Sequence, residues 1–237
     1  MKSKQKSIWI TGASSGIGKS LSLEFAANGN NLILSSRKME ALERVKNEIN
    51  NSKVSIETVP FDIAELNDIE KNFQTISKNY EVDCLINNAG VTSFSLAQKD
   101  SLKQIENIIN TNLLGAIYMI KTVLPGMIER KKGTIINIQS VAVKKVFTNS
   151  SAYAASKAGL SAYSKVLREE LREYNIRVID VYPGATKTPI WPNDALEKYS
   201  ERMMSPGEIA KIIFNAYSHK SNMVVEELVL RPIKGDL

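Results

Sequence analysis

The chain has 237 residues, 43% of them hydrophobic, and that is enough to bury one large core. Residues 1–237 are predicted to form a single α/β domain, because no linker or change in composition marks a second one. The formal net charge of +6 does not indicate a nucleic-acid partner, since basic and acidic residues alternate as on solvated helix faces, but it would attract an anionic cofactor.

The cysteine and histidine content argues against disulfides and metal sites. Cys84 is the sole cysteine and lies in an apolar run, which favours a reducing compartment. His219 is the sole histidine and stands in a polar stretch, so we expect neither a metal site nor a histidine base. With no signal-peptide pattern and no apolar run near membrane-spanning length, we expect a cytoplasmic protein without a membrane partner.

The first motif is a glycine-rich turn between a predicted strand, residues 7–10, and a predicted helix, residues 19–28. Gly12, Gly16 and Gly18 stand in this turn. Glycines let a backbone approach a pyrophosphate closely, and a helix start offers unpaired N–H groups to phosphates. An ordinary strand-to-helix turn would use the same residue types, so the motif alone leaves both possibilities open.

The next predicted strand, residues 31–35, ends in Ser36 and Arg37, roughly twenty residues beyond the glycines. An acidic residue here would select NAD by binding its ribose 2′-hydroxyl, whereas an arginine accommodates the extra phosphate of NADP. No Asp or Glu occurs between Phe25 and Met39. The position therefore favours NADP, although a solvated loop cation is the alternative.

Two further strands are predicted to end in polar residues. Asp62 follows the strand at residues 54–61 and would either accept from an adenine amine or cap the next helix, residues 65–77. The run at residues 83–90 ends in two asparagines and a glycine, and such amides can brace neighbouring strands, although the stretch could be only a turn. Residues 102–130 form one predicted helical region with Asn112 inside it.

Tyr153 and Lys157 stand four residues apart in a predicted helix, residues 149–174, so both lie on one face. A phenol ionises at about pH 10, and a nearby cation favours the phenolate, so Lys157 would lower the pKa of Tyr153 for acid/base chemistry on a carbonyl. Ser140 ends the strand at residues 133–140 and would meet Tyr153 in the crevice at the carboxyl ends of the strands. A packed tyrosine beside a solvated lysine gives the same spacing.

Residues 176–181, 207–217 and 223–230 complete the pattern as strand, helix and strand. Strands alternate with helices throughout, which predicts a Rossmann-type doubly wound parallel sheet of about seven strands flanked by helices. Residues 187–205 lack a strong regular pattern until Glu197, and we expect them to form a mobile lid.

Together these residues resemble the short-chain dehydrogenase/reductase family, in its NADP-preferring branch, over nearly the whole chain. The turn at residues 11–18 looks like the family's cofactor loop, and Asn112, Ser140, Tyr153 and Lys157 match its catalytic positions. The resemblance implies that Tyr153 protonates a carbonyl oxygen while NADPH delivers hydride. It further implies that Ser140 hydrogen-bonds that oxygen, that Lys157 binds ribose hydroxyls, and that Asn112 holds a water molecule between Lys157 and solvent.

The resemblance also implies a set of residues that bind NADP, with NADPH preferred over NADH. They are Gly12, Ser14, Gly16, Ile17, Gly18, Ser36, Arg37, Asp62, Asn88, Tyr153, Lys157, Pro183, Gly184, Thr186 and Thr188. Thr186 stands where the family usually has Ile or Val, which leaves the local packing beside the nicotinamide open.

The substrate is expected to be a small or medium carbonyl or alcohol compound with an apolar part. By family analogy its crevice is rimmed by residues 92–94, 141–147 and 190–191. One alternative is a reductase of acyl groups on an acidic carrier protein, suggested by residues 130–132 with Arg168 and Arg172, which more often would be solvated. The other is a non-catalytic nucleotide sensor or scaffold. The family resemblance implies a homodimer or homotetramer paired through long helices.

Overall fold

The computed structural model describes residues 4–219 and 222–237, and within them seven parallel strands form one sheet in the order β3-β2-β1-β4-β5-β6-β7. The direction of winding changes between β1 and β4, where such sheets open a crevice at the carboxyl ends of their strands. The predicted doubly wound fold is therefore confirmed. The strands are β1 (Gln5–Thr11), β2 (Asn31–Ser36), β3 (Ile56–Pro60), β4 (Tyr80–Asn87), β5 (Gly133–Ile138), β6 (Ile176–Pro183) and β7 (Glu227–Leu230).

Helices cover both faces of the sheet, because side chains along each buried strand alternate between two apolar layers. In β1, Ile8 and Ile10 face one core cluster while Trp9 faces the other. The first cluster takes in residues of α1, α2 and α8, and the second takes in residues of α3, α5 and α6. The helices are α1 (Gly16–Ala27), α2 (Met39–Glu48), α3 (Leu66–Ile76), α4 (Leu102–Ile109), α5 (Gly115–Arg130), α6 (Ser151–Leu171), α7 (Asn193–Tyr199) and α8 (Pro206–Ser218).

The helical region predicted as one segment is divided by a π-helical turn, Asn110–Leu114, between α4 and α5. The turn brings Asn112 into the protein, where it is fully buried. By length and composition alone, Leu102–Arg130 could cross a membrane, so the expectation that no apolar run reaches that length was wrong. In the fold, however, Met119, Val123 and Met127 of this region are buried in the second core cluster, as in the core helix of a soluble protein.

Other differences from the prediction lie near the end of the chain. The predicted strand at residues 223–230 is shorter, because β7 begins only at Glu227. The expected lid contains α7, Asn193–Tyr199, and a short 3₁₀ helix, Ser200–Arg202. It is therefore more regular than its sequence pattern indicated.

Candidate active site

A cavity of about 940 Å³ lies at the carboxyl ends of the central strands. The predicted catalytic and cofactor residues that line it share this edge of the sheet. They are Gly12, Ser14, Gly16, Ile17, Ser36, Arg37, Asp62, Asn88, Ser140, Tyr153, Lys157, Pro183, Gly184, Thr186 and Thr188. Gly18 and Asn112 are absent from the lining, and each has a different position described below.

Ser140, Tyr153 and Lys157 form a connected group on one wall of the cavity. Ser140 follows β5, and its Oγ accepts from the backbone N–H of Ala142 at 3.1 Å. The Tyr153 hydroxyl, one turn into α6, is hydrogen-bonded to the Ser140 side chain. Lys157 lies one turn further on, and its Nζ donates to the Ile138 carbonyl at 2.7 Å. The end of β5 therefore fixes both a hydroxyl pair and an ammonium at the same place.

Burial shifts the pKa values of this group in opposite directions. The pKa of Tyr153 is raised, because burial outweighs its hydrogen bond from Ser140. Burial lowers the pKa of Lys157 to about 8. The expectation that Lys157 would lower the pKa of Tyr153 was therefore wrong for this structure, in which desolvation dominates and the ammonium is held by a backbone carbonyl.

Asn112 holds together two of the segments that surround this group. Its Oδ1 accepts from the Val91 N–H, and its Nδ2 donates to the Val91 carbonyl, both at 2.8 Å. The same Nδ2 donates to Ser156 Oγ at 3.0 Å, and Ser156 belongs to α6 between Tyr153 and Lys157. Asn112 thus joins the loop after β4 to α6. Its expected role in holding a water molecule stays a prediction, and Ser156 was not predicted at all.

The glycine-rich turn contains backbone conformations that favour glycine. Gly12 and Gly16 have φ values of +63° and +54°, in the left-handed region. A Cβ on Gly18 would lie 2.3 Å from the Gly12 carbonyl oxygen, so Gly18 lets α1 pack against the turn rather than lining the cavity. Asn88 Nδ2 holds the turn by donating to the carbonyls of Thr11 and Gly12 at 3.0 and 3.1 Å.

The first turn of α1 fits a dinucleotide phosphate. Ser15 is the N-cap residue, and its side chain makes no capping hydrogen bond to the helix. The N–H groups at this helix start are therefore not bound by a capping side chain, and they carry the positive end of the helix dipole. Gly16 and Thr188 close this end of the cavity, since a Cβ on Gly16 would lie 3.0 Å from Thr188 Cγ2. The residues present fit the predicted cofactor.

Arg37 and Asp62 line the far end of the same cavity. Arg37 is exposed, and within residues 4–219 and 222–237 it forms no ion pair. Asp62 Oδ1 accepts from the Ala64 N–H at 3.0 Å, whereas the N-cap residue of α3 is Glu65. The interpretation of Asp62 as the cap of that helix was therefore wrong, and its place in the cavity leaves the adenine role open.

The segment after β6 forms the opposite wall. The Gly184 N–H donates to the Leu230 carbonyl of β7 at 2.8 Å. Thr186 is buried, and its Oγ1 donates to the Gly184 carbonyl at 2.9 Å. The hydroxyl of Thr186 is thus satisfied by its own backbone, which explains how a threonine is accommodated where the family usually has an aliphatic residue.

Comparison with known proteins assigns the family. The profile described as short chain dehydrogenase matches residues 6–198. The chain belongs to the short-chain dehydrogenase family. Sepiapterin reductase of Chlorobaculum tepidum is 35% identical over 236 residues, which cover 96% of each chain.

Two further similarities support the assignment of this chain to the short-chain dehydrogenase family. The NADP-dependent 3-hydroxy acid dehydrogenase of Schizosaccharomyces pombe is 31% identical over 240 residues, covering 96% of this chain and 92% of that protein. The closed form of serine dehydrogenase complexed with NADP⁺ superposes with a TM-score of 0.88 at 27% identity, covering 97% of this chain and 96% of that one. The dehydrogenase is therefore an oxidoreductase of CH–OH and C=O groups.

The cavity is also lined by residues that the sequence did not indicate. Arg202, in the segment predicted to form a lid, and Asp236 and Leu237, after β7, line its wall. Nothing in their sequence context resembles a binding motif, because their position depends on how the segment after β7 turns back across the sheet.

Arg168 has a structural position that its sequence pattern did not predict. It is buried, and its Nη2 donates to Asp180 Oδ2 at 2.7 Å. Arg130 donates to the Val82 carbonyl at 3.0 Å and lies 3.4 Å from Glu81. Arg168 is therefore not available to the carrier-protein surface that the sequence suggested, whereas Lys131, Lys132 and Arg172 are exposed.

Proposed function

We propose that this protein is an NADP(H)-dependent oxidoreductase that interconverts a carbonyl compound and a secondary alcohol. The observation that carries the proposal is the convergence of Ser140, Tyr153 and Lys157 on the cavity that also contains the glycine-rich turn. A scaffold or sensor would need only the nucleotide site, whereas here an acid group lies in the same cavity.

The chemistry of the site follows from its own side chains. The bound dinucleotide supplies or accepts the hydride. The Tyr153 hydroxyl donates its proton to the carbonyl oxygen during reduction and takes it back during oxidation. Ser140, already hydrogen-bonded to Tyr153, donates to the same oxygen as negative charge develops on it. The Lys157 ammonium, one turn further along α6, contributes positive charge to the site and binds ribose hydroxyls, while Asn112 keeps α6 in place through Ser156.

Turnover of the purified protein with NADPH and with NADH tests this function. The panel includes 3-hydroxy acids, fatty acyl thioesters, pterin ketones and simple ketones and alcohols, because the names of similar proteins span these classes. Steady oxidation of NADPH by at least one carbonyl compound supports the proposal. Tight binding of NADPH without turnover of any compound would instead favour a sensor or scaffold.

The cofactor preference is expected to depend on Arg37. Arg37→Asp places a carboxylate where we expect the 2′-phosphate, so repulsion should lower the ratio of kcat/KM for NADPH to that for NADH by roughly 10²-fold. The ratio is measured by initial rates with one substrate. Arg44→Asp, an exposed position on α2 away from the cavity, makes the same change in charge and should leave the ratio within twofold. Equal effects in both variants would contradict the assignment.

The substrate end of the cavity is apolar and aromatic. The rings of Phe94 and Trp191 stack with centroids 5.1 Å apart, joining the loop after β4 to the lid that we place at residues 187–205. Thr92, Val141, Ala142, Phe147 and Ile190 also line the cavity. This lining supports a small or medium carbonyl compound with an apolar part. The carrier-protein alternative loses support with the buried Arg168, and a β-ketoacyl thioester assayed with and without carrier protein tests it.

We propose that the enzyme is a cytoplasmic homodimer or homotetramer. Large apolar side chains stand exposed on the long helices, with Leu102 79% exposed on α4 and Val166 60% exposed on α6. Such exposure on neighbouring helices supports a self-associating face. Light scattering at micromolar concentration should give two or four times the chain mass of 26.3 kDa. A mass of one chain would contradict this proposal.

A further inference from the structure

The segment after β7, residues 231–237, turns back over the substrate end of the cavity. The Gly235 N–H donates to the Pro232 carbonyl at 2.9 Å, and Gly235 takes a φ of +81°, which closes a tight turn. Pro232 packs against Gly184, since a Cβ on Gly184 would lie 3.1 Å from Pro232 Cδ. This turn places Asp236 in the cavity wall beside the segment that follows β6.

The Asp236 carboxylate is buried and held by basic side chains. Its side chain is only 3% exposed, and Oδ2 lies 3.3 Å from Lys145 Nζ and 3.1 Å from Arg231 Nη1. The Asp236 backbone carbonyl also accepts from Arg202 Nη2 at 3.3 Å. Lys145 belongs to the loop after Ser140 and Arg202 to the lid, so Asp236 connects three segments around the substrate end.

The second carboxylate oxygen is the unexplained part of this arrangement. Asp236 Oδ1 is buried, and among the described residues it has no hydrogen-bond partner. It lies next to Gly184, 3.4 Å from where a Cβ on that glycine would stand. A buried acceptor without a donor is unfavourable, and a group that enters the cavity with an N–H or O–H can satisfy it.

We infer that Asp236 is a specificity-determining residue that accepts a hydrogen bond from an N–H or O–H donor on the substrate. Its Oδ2 is fixed by Lys145 and Arg231, which also offset its charge, so Oδ1 is presented as a rigid acceptor. A site built around such an acceptor discriminates strongly against an analogue that lacks the donor, because the buried oxygen then stays unpaired. The inference rests on the proposed function and specifies the substrate class within it.

The test compares matched pairs of ketones, each pair differing only in a remote hydroxyl or amide N–H that is free in one member and methylated in the other. The wild-type enzyme should prefer the donor-bearing member of at least one pair by about tenfold or more in kcat/KM, mostly through KM. Asp236→Asn turns an amide oxygen toward the two cations and an NH₂ group toward the substrate. This variant should remove that preference while NADPH affinity stays within twofold.

Two control variants distinguish substrate recognition by Asp236 from a merely structural role of Asp236 in the cavity wall. Asp194→Asn makes the same substitution at an exposed position on α7 and should keep the wild-type preference. Lys145→Met loosens the Asp236 side chain without removing Oδ1, so it should weaken the preference for the donor-bearing member without abolishing it. A wild-type enzyme without preference in every pair, or an Asp236→Asn variant that keeps the preference, would overturn the inference.

The inference can fail independently of the proposed function. If no compound is turned over, the proposed function fails, and calorimetric binding of the same pairs to NADP⁺-loaded protein still decides the role of Asp236. Preferential binding of the donor-bearing member by the wild type, lost in Asp236→Asn, supports the inference. Equal binding of both members defeats it.

Discussion

Replacing Tyr153 by Phe is expected to lower kcat by about 10²- to 10⁴-fold, the range typical of a lost general acid. The substitution removes only the hydroxyl that is hydrogen-bonded to Ser140 and leaves the aromatic ring in the wall of the cavity. Most polar contacts for the dinucleotide lie elsewhere, so the dissociation constant for NADPH should change by less than about threefold. Stopped-flow turnover and NADPH fluorescence titration measure the two quantities.

Tyr163→Phe is the matched control for this variant. Tyr163 lies on the same helix, is partly buried against the second core cluster and does not line the cavity. Its variant should keep kcat within about twofold, because the proton-donating group is unchanged. A Tyr153→Phe enzyme with wild-type kcat would remove Tyr153 from the mechanism, and parallel losses in both variants would point to a disturbed helix.

The sequence carried enough information to predict the layers and the strands. Each buried strand is a short apolar run followed by turn residues, and each helix has an apolar stripe, so their alternation implied a parallel sheet. The bracing role of the asparagine pair was also correct, since Asn87 Nδ2 donates to Asn137 Oδ1 of the next strand at 2.9 Å. These features depend on local pattern, which a single sequence records directly.

The grouping of the three candidate catalytic residues was predictable because its geometry follows from short spacings. Tyr153 and Lys157 share a helix face, and Ser140 follows the strand beside that helix. The electrostatics were less predictable, since the pKa of Tyr153 depends on how completely the surrounding protein excludes water. Spacing identifies which charges are near a titratable group, but only the packed structure shows how strongly burial opposes their effect on its pKa.

The positions that sequence missed depend on contacts between distant segments. The sequence did not indicate that the amide of Asn112 joins the loop after β4 to Ser156. Arg168 seemed a surface cation, but it pairs with Asp180 of β6 inside the protein. Asp236 reaches the cavity only because the turn at Gly235 reverses the chain. In each case the partner lies far away in sequence, and no local pattern encodes it.

Replacing Lys157 by Met is expected to lower kcat/KM by about 10²-fold or more, because it removes a positive charge one helical turn from Tyr153 and the expected donor to the ribose hydroxyls. The same variant should also lose a characteristic pH dependence of stability. Lys157 is almost fully buried, and its pKa is about 8 in the folded protein against an ordinary value of 10.5. Between these two pH values the unfolded chain binds more protons than the folded one.

The sign of the effect follows from this difference in bound protons. When the unfolded state binds more protons, the free energy of unfolding rises with pH, so the wild type gains stability as Lys157 loses its charge. Between pH 7 and pH 9.5 this single group should add roughly 2 kcal/mol to the free energy of unfolding. Burial raises the pKa of Cys84, which lowers stability at the upper end of this range, but Cys84 is present in both proteins. The difference between wild type and variant therefore isolates Lys157.

Urea unfolding at a series of pH values between 7 and 9.5 measures the effect. The difference in unfolding free energy, wild type minus Lys157→Met, should rise by roughly 2 kcal/mol across the range, whatever its value at pH 7. Its starting value is set by two opposing effects, because the variant leaves the Ile138 carbonyl without its donor and also removes a buried charge. Lys165→Met, at an exposed position on α6, should give a difference that stays flat with pH. A flat difference for Lys157→Met as well would contradict the lowered pKa of Lys157 and the desolvation that causes it.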